Sequence, residues 1–211
     1  MKNSILKWAG AALATLSSVM PMTAQKSYIF LAPGVEEVEA VATVDALRRA
    51  DIPVVTVAVA DNNQIKGATG QILVADSLIS EVNTEDADWL IVPGGDPGAQ
   101  NLFANIDVKK KILDHYNKNG RIASICAGPA VVLAPLGVLK GKKATCYPGL
   151  GNAVNSNGGQ YVEQTVVEEP NLITSEGPGT TLPFAIEIIR ATKGSEAAES
   201  VASGMLVNNP K

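Results

Sequence analysis

The chain has 211 residues, of which 46% are hydrophobic and only 4% aromatic, and its formal net charge is −4. This length is enough for one domain with a full core, and that core must be built from aliphatic side chains, as is typical of a parallel sheet covered by helices. An acidic chain with few aromatic residues lacks the positive charge and the stacking surface of nucleic-acid-binding proteins, so we expect no nucleic-acid partner.

The first residues are typical of a secretory signal peptide. Residues 1–24 carry two lysines followed by small and apolar residues, and Ala24 offers a cleavage position. This pattern predicts an exported, periplasmic protein with a single mature domain, residues 25–211, and no membrane span once the signal is removed. The alternative is a start assigned too far upstream, with Met20 or Met22 as the first residue of a cytoplasmic protein.

Apolar runs and helical spacing alternate along the first part of the chain. The pattern predicts strands over 27–32, 53–60 and 121–125, a strand with its Gly-rich stop over 89–95, and helices over 37–50 and 107–118. The strand that begins at Trp89 runs into the Gly-rich turn "PGG".

The second part of the chain continues with shorter segments. We predict helices over 130–136, with Pro129 in the first turn, and over 180–194 and 195–204, and β-rich segments over 142–147, 162–168 and 171–175. Alternation of strands and helices without an internal repeat or linker predicts one α/β sandwich with a mainly parallel sheet.

Polar or Gly-rich turns follow three of the predicted strands: "APGVEEVE", "PGGDPGAQN" and "CAGP". Ligands of open α/β sheets bind at the carboxyl ends of the strands, so we expect the functional residues to meet there. Cys126 lies between a strand and a helix, where free helix N–H groups and the helix dipole would favour the thiolate and lower its pKa. The alternative is a small buried side chain that only packs.

Four segments together resemble the ThiJ/PfpI superfamily, in particular its parkinsonism-associated deglycase branch and bacterial relatives. These segments are "LAPGVEEVEAVATVDALRRA", "LIVPGGDPGAQNL", "ICAGPAVVLA" and "ITSEGPGTTLPFAIEII". The resemblance extends over about residues 27 to 207. It implies a flavodoxin-like three-layer sandwich, a homodimer, and a cysteine on a strained nucleophile elbow.

The resemblance also implies roles for individual residues. Cys126 matches the reactive cysteine of the family, and Glu39 matches the glutamate that hydrogen-bonds to its sulfur. Gly95 and Ala127 match the positions whose backbone N–H groups form an anion pocket. A protonated carboxyl beside a thiolate can donate a hydrogen bond to it and can carry a proton.

The neighbouring charged residues are expected to have ordinary roles. Glu36 and Glu37 are interpreted as solvated or paired charges at a helix start, with Glu37 and Glu39 on different helix faces. His115, the only histidine, is predicted to be a solvated helix residue.

One departure from the superfamily concerns the base. Some members place a histidine near the cysteine, and the matching position here is Tyr147, which either orients substrate or packs. Without a Cys-His pair, protease and glutamine amidotransferase activities are disfavoured. The sequence contains no cluster of cysteine and histidine residues with zinc-ligand spacing, so no metal is expected.

The resemblance implies a glutathione-independent glyoxalase or deglycase that acts on a small reactive aldehyde. Cys126 would form a hemithioacetal with methylglyoxal, Glu39 would carry the proton, and no cofactor would be needed. The alternative is a redox sensor or holdase chaperone that works through oxidation of Cys126. A weaker third interpretation is a reversible disulfide between Cys126 and Cys146, whose simpler role is packing in a strand.

Overall fold

A computed structural model describes residues 25–207. The predicted signal peptide, residues 1–24, lies outside the described residues, so the expectation of export stays a prediction.

The centre of the molecule is a sheet of seven strands. The strands of the described chain are β1 (Ser27–Leu31), β2 (Val54–Ala58), β3 (Gln64–Lys66), β4 (Ile72–Val74), β5 (Ser77–Leu78), β6 (Trp89–Val92), β7 (Arg121–Ile125), β8 (Lys143–Ala144), β9 (Gln160–Tyr161), β10 (Val166–Glu169) and β11 (Leu172–Ser175). Their order in the large sheet is β10-β11-β7-β6-β1-β2-β5, and all neighbours are parallel except the edge pair β10–β11.

The strand order reverses direction between β1 and β6. From β1 the chain moves outward to β2 and β5, whereas from β6 it moves the other way to β7 and β11. The ends of β6 and β7 lie in register, since Val92 pairs with Ser124. Such a reversal opens a crevice at the carboxyl ends of the strands, because the connecting segments leave on opposite sides. The turns after β1, β6 and β7 meet at this crevice.

Helices cover both faces of the sheet. They are α1 (Glu37–Arg49), α2 (Gly98–Ala104), α3 (Ile106–Asn117), α4 (Gly151–Ser156), α5 (Thr181–Lys193) and α6 (Ser195–Gly204), with a π-helical segment at Pro129–Leu133 and a 3₁₀ turn at Pro178–Thr180. Alternate strand residues separate two cores: Ile29 and Ile91 pack toward α1 and α5, and Phe30 and Leu90 pack toward α2 and α3. The fold is the expected flavodoxin-like three-layer sandwich.

Most predicted elements are present, with differences where the periodicity is weak. The predicted helix over 130–136 is instead the π-helical segment Pro129–Leu133, followed by turns. The sequence pattern also missed α2, α4 and the antiparallel hairpin β3–β4. Helix α4 has the sequence GNAVNS, whose Gly, Asn and Ser residues have low helix propensity, so tertiary contacts decide its conformation.

Candidate active site

Cys126 occupies the residue directly after β7, in a backbone conformation that is rare for a side chain. Its φ is 63°. The amide of Cys126 donates to the carbonyl of Ser175 at 3.0 Å, and the carbonyl of Cys126 accepts from the amide of Tyr147 at 2.8 Å. A positive φ outside glycine costs energy and persists only where the surroundings enforce it. The sharp turn holds the thiol at the carboxyl edge of the sheet.

The turn after β6 packs directly against this cysteine. A Cβ atom on Gly94 would lie 2.7 Å from the Cβ of Cys126 and 2.8 Å from the amide nitrogen of Ala127, so only glycine allows the contact. Gly95 has a φ of 97°. The backbone N–H groups of Gly95 and Ala127 favour the negative form of the sulfur, since both lower the pKa of Cys126.

Glu39 approaches the same sulfur from α1 and is completely buried. Its Oε2 accepts a hydrogen bond of 2.7 Å from the amide of Gly94. Its Oε1 has no nitrogen or oxygen partner among the described residues, and the carboxyl interacts with the thiol of Cys126. The carboxyl therefore has one backbone donor and one neighbour that can exchange a proton with it.

Burial raises the pKa of Glu39 to about 7, and the negative charge of Glu36 adds to the rise, while the Gly94 amide and the Cys126 thiol oppose it. Burial, followed by the charge and hydrogen bond of Glu39, raises the pKa of Cys126 to about 12, against the opposing N–H groups of Gly95 and Ala127.

The expectation that a helix terminus lowers the pKa of Cys126 is therefore wrong while Glu39 is ionised. The sulfur is buried beside a carboxylate, and the segment that follows it is a short π-helical turn. When the proton resides on Glu39, the charge repulsion disappears and the carboxyl becomes a hydrogen-bond donor to the sulfur. With these pKa values the thiol keeps its proton at neutral pH, so a thiolate forms when that proton passes to the carboxylate of Glu39.

A cleft opens from Cys126 to the surface. Gly95, Ala127 and Tyr147 line it together with Cys126, so the structure brings these predicted residues together, with Glu39 buried behind the sulfur. The ring of Tyr147 is 48% exposed and lies over Gly177, where a Cβ atom would come within 3.3 Å of the ring.

Sequence reasoning missed several residues of the site. Gly94 supplies the amide that holds Glu39, although the family resemblance assigned a role only to Gly95. Glu36, Asp96 and Gln100 line the cleft, which the turn sequences could have indicated because each lies in or beside one of the three turns.

Glu37 lies on another side of α1 from Glu39, as expected, but it is buried with 4% exposure. Its carboxylate accepts hydrogen bonds from the amide and hydroxyl of Thr69 at 2.9 and 2.8 Å and from the amide of Gln71 at 3.3 Å. Of the two expected states, solvated or paired, the structure shows the paired one. The partners lie in a turn between β3 and β4.

The prediction of a solvated His115 is wrong. The side chain is 6% exposed, packs against Gly120, and its Nε2 lies 3.0 Å from the carbonyl of Arg121. Burial lowers its pKa. Because Arg121 begins β7 and Cys126 follows its end, the histidine lies at the opposite edge of the sheet and supplies no base to the cysteine.

Cys146 is buried, and burial raises its pKa to about 11. It lies two residues after β8 and packs in the core beside α2 and α3, whereas Cys126 packs in the core beside α1 and α5. Both cysteines are free. Since the two thiols belong to cores on different faces of the sheet, the geometry disfavours the disulfide interpretation and favours packing for Cys146.

Two further features of residues 25–207 bear on the site. No group of three or more His, Cys, Asp or Glu side chains is arranged to hold a metal ion in this part of the chain. None of the helices described there is long and apolar enough to cross a membrane.

Comparison with known proteins shows the family of the chain. Residues 25–191 match the model of the DJ-1/PfpI family. Over 177 residues the chain is 36% identical to Protein DJ-1 homolog B of Arabidopsis thaliana, a match that covers 84% of this chain and 40% of that protein. The chain thus spans less than half the length of this relative.

Two other relatives match along nearly their whole length. The glutathione-independent glyoxalase DJR-1.2 of Caenorhabditis elegans is 33% identical over 182 residues, which are 85% of this chain and 96% of that protein. The solved structure of oxidized Toxoplasma gondii DJ-1 is similar with a TM-score of 0.84 at 34% identity, covering 88% of this chain and 100% of that chain. The chain therefore belongs to the DJ-1/PfpI family and has its flavodoxin-like α/β fold.

Proposed function

We propose that the protein is a glutathione-independent glyoxalase that converts methylglyoxal or glyoxal, and adducts derived from them, through Cys126. The observation that carries this proposal is the contact between the Cys126 thiol and the buried carboxyl of Glu39, whose pKa of about 7 suits a proton carrier, at a site where the backbone N–H groups of Gly95 and Ala127 lower the pKa of the thiol. A relative of similar length bears the name of this activity.

The proposed reaction starts when the carboxylate of Glu39 takes the proton of the Cys126 thiol, which gives a thiolate beside a protonated acid. The sulfur attacks the aldehyde carbon of methylglyoxal, and Glu39 donates its proton to the carbonyl oxygen, which gives a hemithioacetal. Glu39, now a carboxylate, removes the hydrogen from the carbon bonded to sulfur as a proton, which leaves an enediolate. A carboxyl with a pKa of about 7 can perform both steps at neutral pH.

Return of that proton to the adjacent carbon produces a thioester of lactate on Cys126. Water then attacks the thioester carbon, which releases lactate and restores the thiol, so methylglyoxal and one water are consumed for each lactate. Gly95 and Ala127 line the cleft beside Cys126, and their N–H groups lower the pKa of its thiol. They therefore lie where they can stabilise negative oxygen on the carbon bonded to that sulfur.

Production of lactate from methylglyoxal by the purified protein tests the proposal. We expect Cys126→Ser to abolish turnover and Cys146→Ser, a matched change of the second buried cysteine, to retain it. Absence of lactate from the parent protein, with the Cys126 thiol shown to be reduced by titration, would refute the activity.

A second candidate function is oxidation sensing or holdase activity through Cys126. It is favoured by the hydrogen-bond donors around the sulfur, which would also stabilise a sulfinate, and by the oxidized state of a solved relative from Toxoplasma gondii. Stoichiometric peroxide should then change the suppression of aggregation of a client protein by the parent but not by Cys126→Ser. Equal effects on both proteins would rule this function out.

The proposed homodimer is supported by an apolar surface shared by α1 and β4. Val38, Val41, Ile72 and Val74 are 51%, 53%, 55% and 65% exposed. We expect Val41→Asp to shift sedimentation to the monomer and Ile106→Asp, on α3, to leave it unchanged. An unchanged sedimentation coefficient for Val41→Asp would argue against this interface.

Export to the periplasm remains a proposal that depends on residues 1–24. Cell fractionation with determination of the mature N-terminus tests it: a chain that begins after Ala24 is expected, and an intact N-terminus in the cytoplasmic fraction would contradict it.

A further inference from the structure

The mouth of the Cys126 cleft carries an uneven distribution of charge. Two carboxylates line it, Glu36 and Asp96, and no Lys, Arg or His residue of the described chain belongs to the lining. The remaining walls are apolar or uncharged and include Val131, Leu150 and the ring of Tyr147. A negatively charged compound that entered would meet two like charges and no cation of this chain.

The backbone fixes both carboxylates beside the reactive groups. The amide of Glu36 donates to the carbonyl of Gly94 at 3.3 Å, and a Cβ atom on Gly95 would lie 2.5 Å from the amide nitrogen of Glu36. Asp96 follows Gly95 directly, so both acidic residues start from backbone that packs around the thiol. Glu36 is partly buried and Asp96 is exposed.

The donors at the bottom of the cleft do not offset these charges. The N–H groups of Gly95 and Ala127 act on the thiol of Cys126, whose pKa they lower, and the Gly94 amide donates to Glu39. These donors lie near the reacting atoms, so the outer part of a bound molecule is exposed to the charges of the two carboxylates without compensation from them. The charge of Glu36 also reaches inward, since it contributes to the raised pKa of Glu39.

We propose that Glu36 and Asp96 are specificity-determining residues that make the cleft accept neutral or cationic carbonyl compounds and exclude anionic ones. The statement about carbonyl substrates rests on the proposed function. The exclusion of anions from Cys126 is a property of the cleft itself and can be measured without turnover.

Two alkylating reagents of nearly the same shape measure this exclusion. Iodoacetamide is neutral and iodoacetate is anionic, and each loses iodide when the Cys126 thiolate forms a carbon–sulfur bond. The ratio of their rates at Cys126, divided by the same ratio for a small free thiol, isolates the effect of the cleft. Any change in thiol ionisation affects both reagents alike and cancels in the ratio.

We expect iodoacetate to be disfavoured at Cys126 by about tenfold relative to the free thiol at low ionic strength, since two carboxylates act across several ångströms of partly screened solvent. Glu36→Gln and Asp96→Asn should each recover about two- to threefold, and added salt should weaken the discrimination in the parent. Glu199→Gln, which changes the net charge equally on the surface of α6, should leave the ratio unchanged.

The outcomes separate this proposal from the proposed function. A ratio at Cys126 equal to that of the free thiol would overturn the selectivity even if methylglyoxal is converted. The same holds if Glu36→Gln and Asp96→Asn change the ratio no more than Glu199→Gln does. A discriminating cleft without lactate production would retain the selectivity and refute the glyoxalase. If both hold, an oxoaldehyde that bears a carboxylate should be converted more slowly than methylglyoxal, and Glu36→Gln should reduce that difference.

Discussion

Two carboxyl groups two residues apart on α1 lie in opposite environments. Glu37 is 4% exposed and accepts hydrogen bonds from Thr69 and Gln71, which hold its pKa below the ordinary value although burial opposes them. Glu39 is fully buried and receives one backbone N–H group, from Gly94, so burial raises its pKa to about 7. The depth of burial and the number of hydrogen-bond donors together decide whether a carboxyl is charged.

The difference separates a structural from a chemical role. The surroundings of Glu37 satisfy a permanent charge, which fixes the turn between β3 and β4 to the start of α1. The surroundings of Glu39 satisfy only part of a charge, which leaves the proton free to move to Cys126 and back. The shortage of hydrogen-bond donors around Glu39 lowers the stability of the folded protein. The same shortage keeps the carboxyl able to take up and release a proton.

The largest expected difference between the two positions concerns turnover. Glu39→Gln keeps an oxygen for the Gly94 amide but cannot carry a proton, so kcat/KM for methylglyoxal should fall by about 10²- to 10⁴-fold. Glu37→Gln should stay within about threefold of the parent. Rates of lactate formation measure both, and similar losses in the two variants would mean that Glu39 acts only by holding the turn.

The next effect is the pH dependence of stability. Because the folded pKa of Glu39 is raised from 4.5 to about 7, the native state binds its proton more tightly, and this contribution is complete below about pH 4.5 and is lost as the pH rises through about 7. Relative to the parent, Glu39→Gln should gain on the order of 2 kcal/mol in the free energy of unfolding between about pH 5 and pH 8.

Urea unfolding of both proteins at these two pH values gives the comparison. Glu37→Gln serves as a control that should respond to pH between about pH 5 and pH 8 much as the parent does. The folded pKa of Glu37 is lowered, so its contribution is present above the unfolded pKa and is lost as the pH falls through the folded one. A parent and Glu39→Gln that respond identically to pH would show that Glu39 titrates normally.

At neutral pH we expect Glu37→Gln to lower the free energy of unfolding by about 1.5 kcal/mol, because it removes charge-assisted hydrogen bonds and places an amide N–H₂ group against donors. Glu199→Gln, on the exposed surface of α6, should change it by less than about 0.5 kcal/mol. Equal stabilities for these two variants would show that the Glu37 contacts contribute nothing net to folding.

The residues differ in how far the sequence alone revealed them. The large sheet and its helices follow from apolar periodicity, and Cys126, Glu39, Gly95 and Ala127 follow from a family resemblance. The burial and hydrogen bonding of Glu37 could not be predicted, because its partners lie 32 to 34 residues away. They belong to the turn of a hairpin whose short strands show little periodicity. "EEVE" contains three equal glutamates as a sequence, and only the folded surroundings distinguish them.

The same reason explains the errors at His115 and at the thiol of Cys126. A histidine in a polar helical pattern gives no sign that Gly120 allows the chain to turn back over its ring. Burial of Cys126, together with the proximity of Glu39, raises the pKa of a thiol for which the strand–turn–helix pattern favours a lowered pKa. Charges and packing brought from distant segments are not encoded in local spacing.

The smallest expected effect tests whether each hydrogen-bond donor near Glu37 contributes separately to its lowered pKa. Thr69→Val keeps the shape of the side chain and the backbone amide but removes the hydroxyl that donates to Glu37 at 2.8 Å. Because Thr69 is exposed, we expect a loss of only about 0.5 to 1 kcal/mol in the free energy of unfolding and a pKa of Glu37 that moves upward, toward the behaviour of Glu39. Carboxyl titration by NMR measures the pKa, and Thr192→Val, whose hydroxyl accepts from Trp89 on another face, is the matched control. An unchanged pKa of Glu37 in Thr69→Val would mean that the backbone amides alone stabilise its charge and that the side-chain hydroxyl of Thr69 contributes nothing to it.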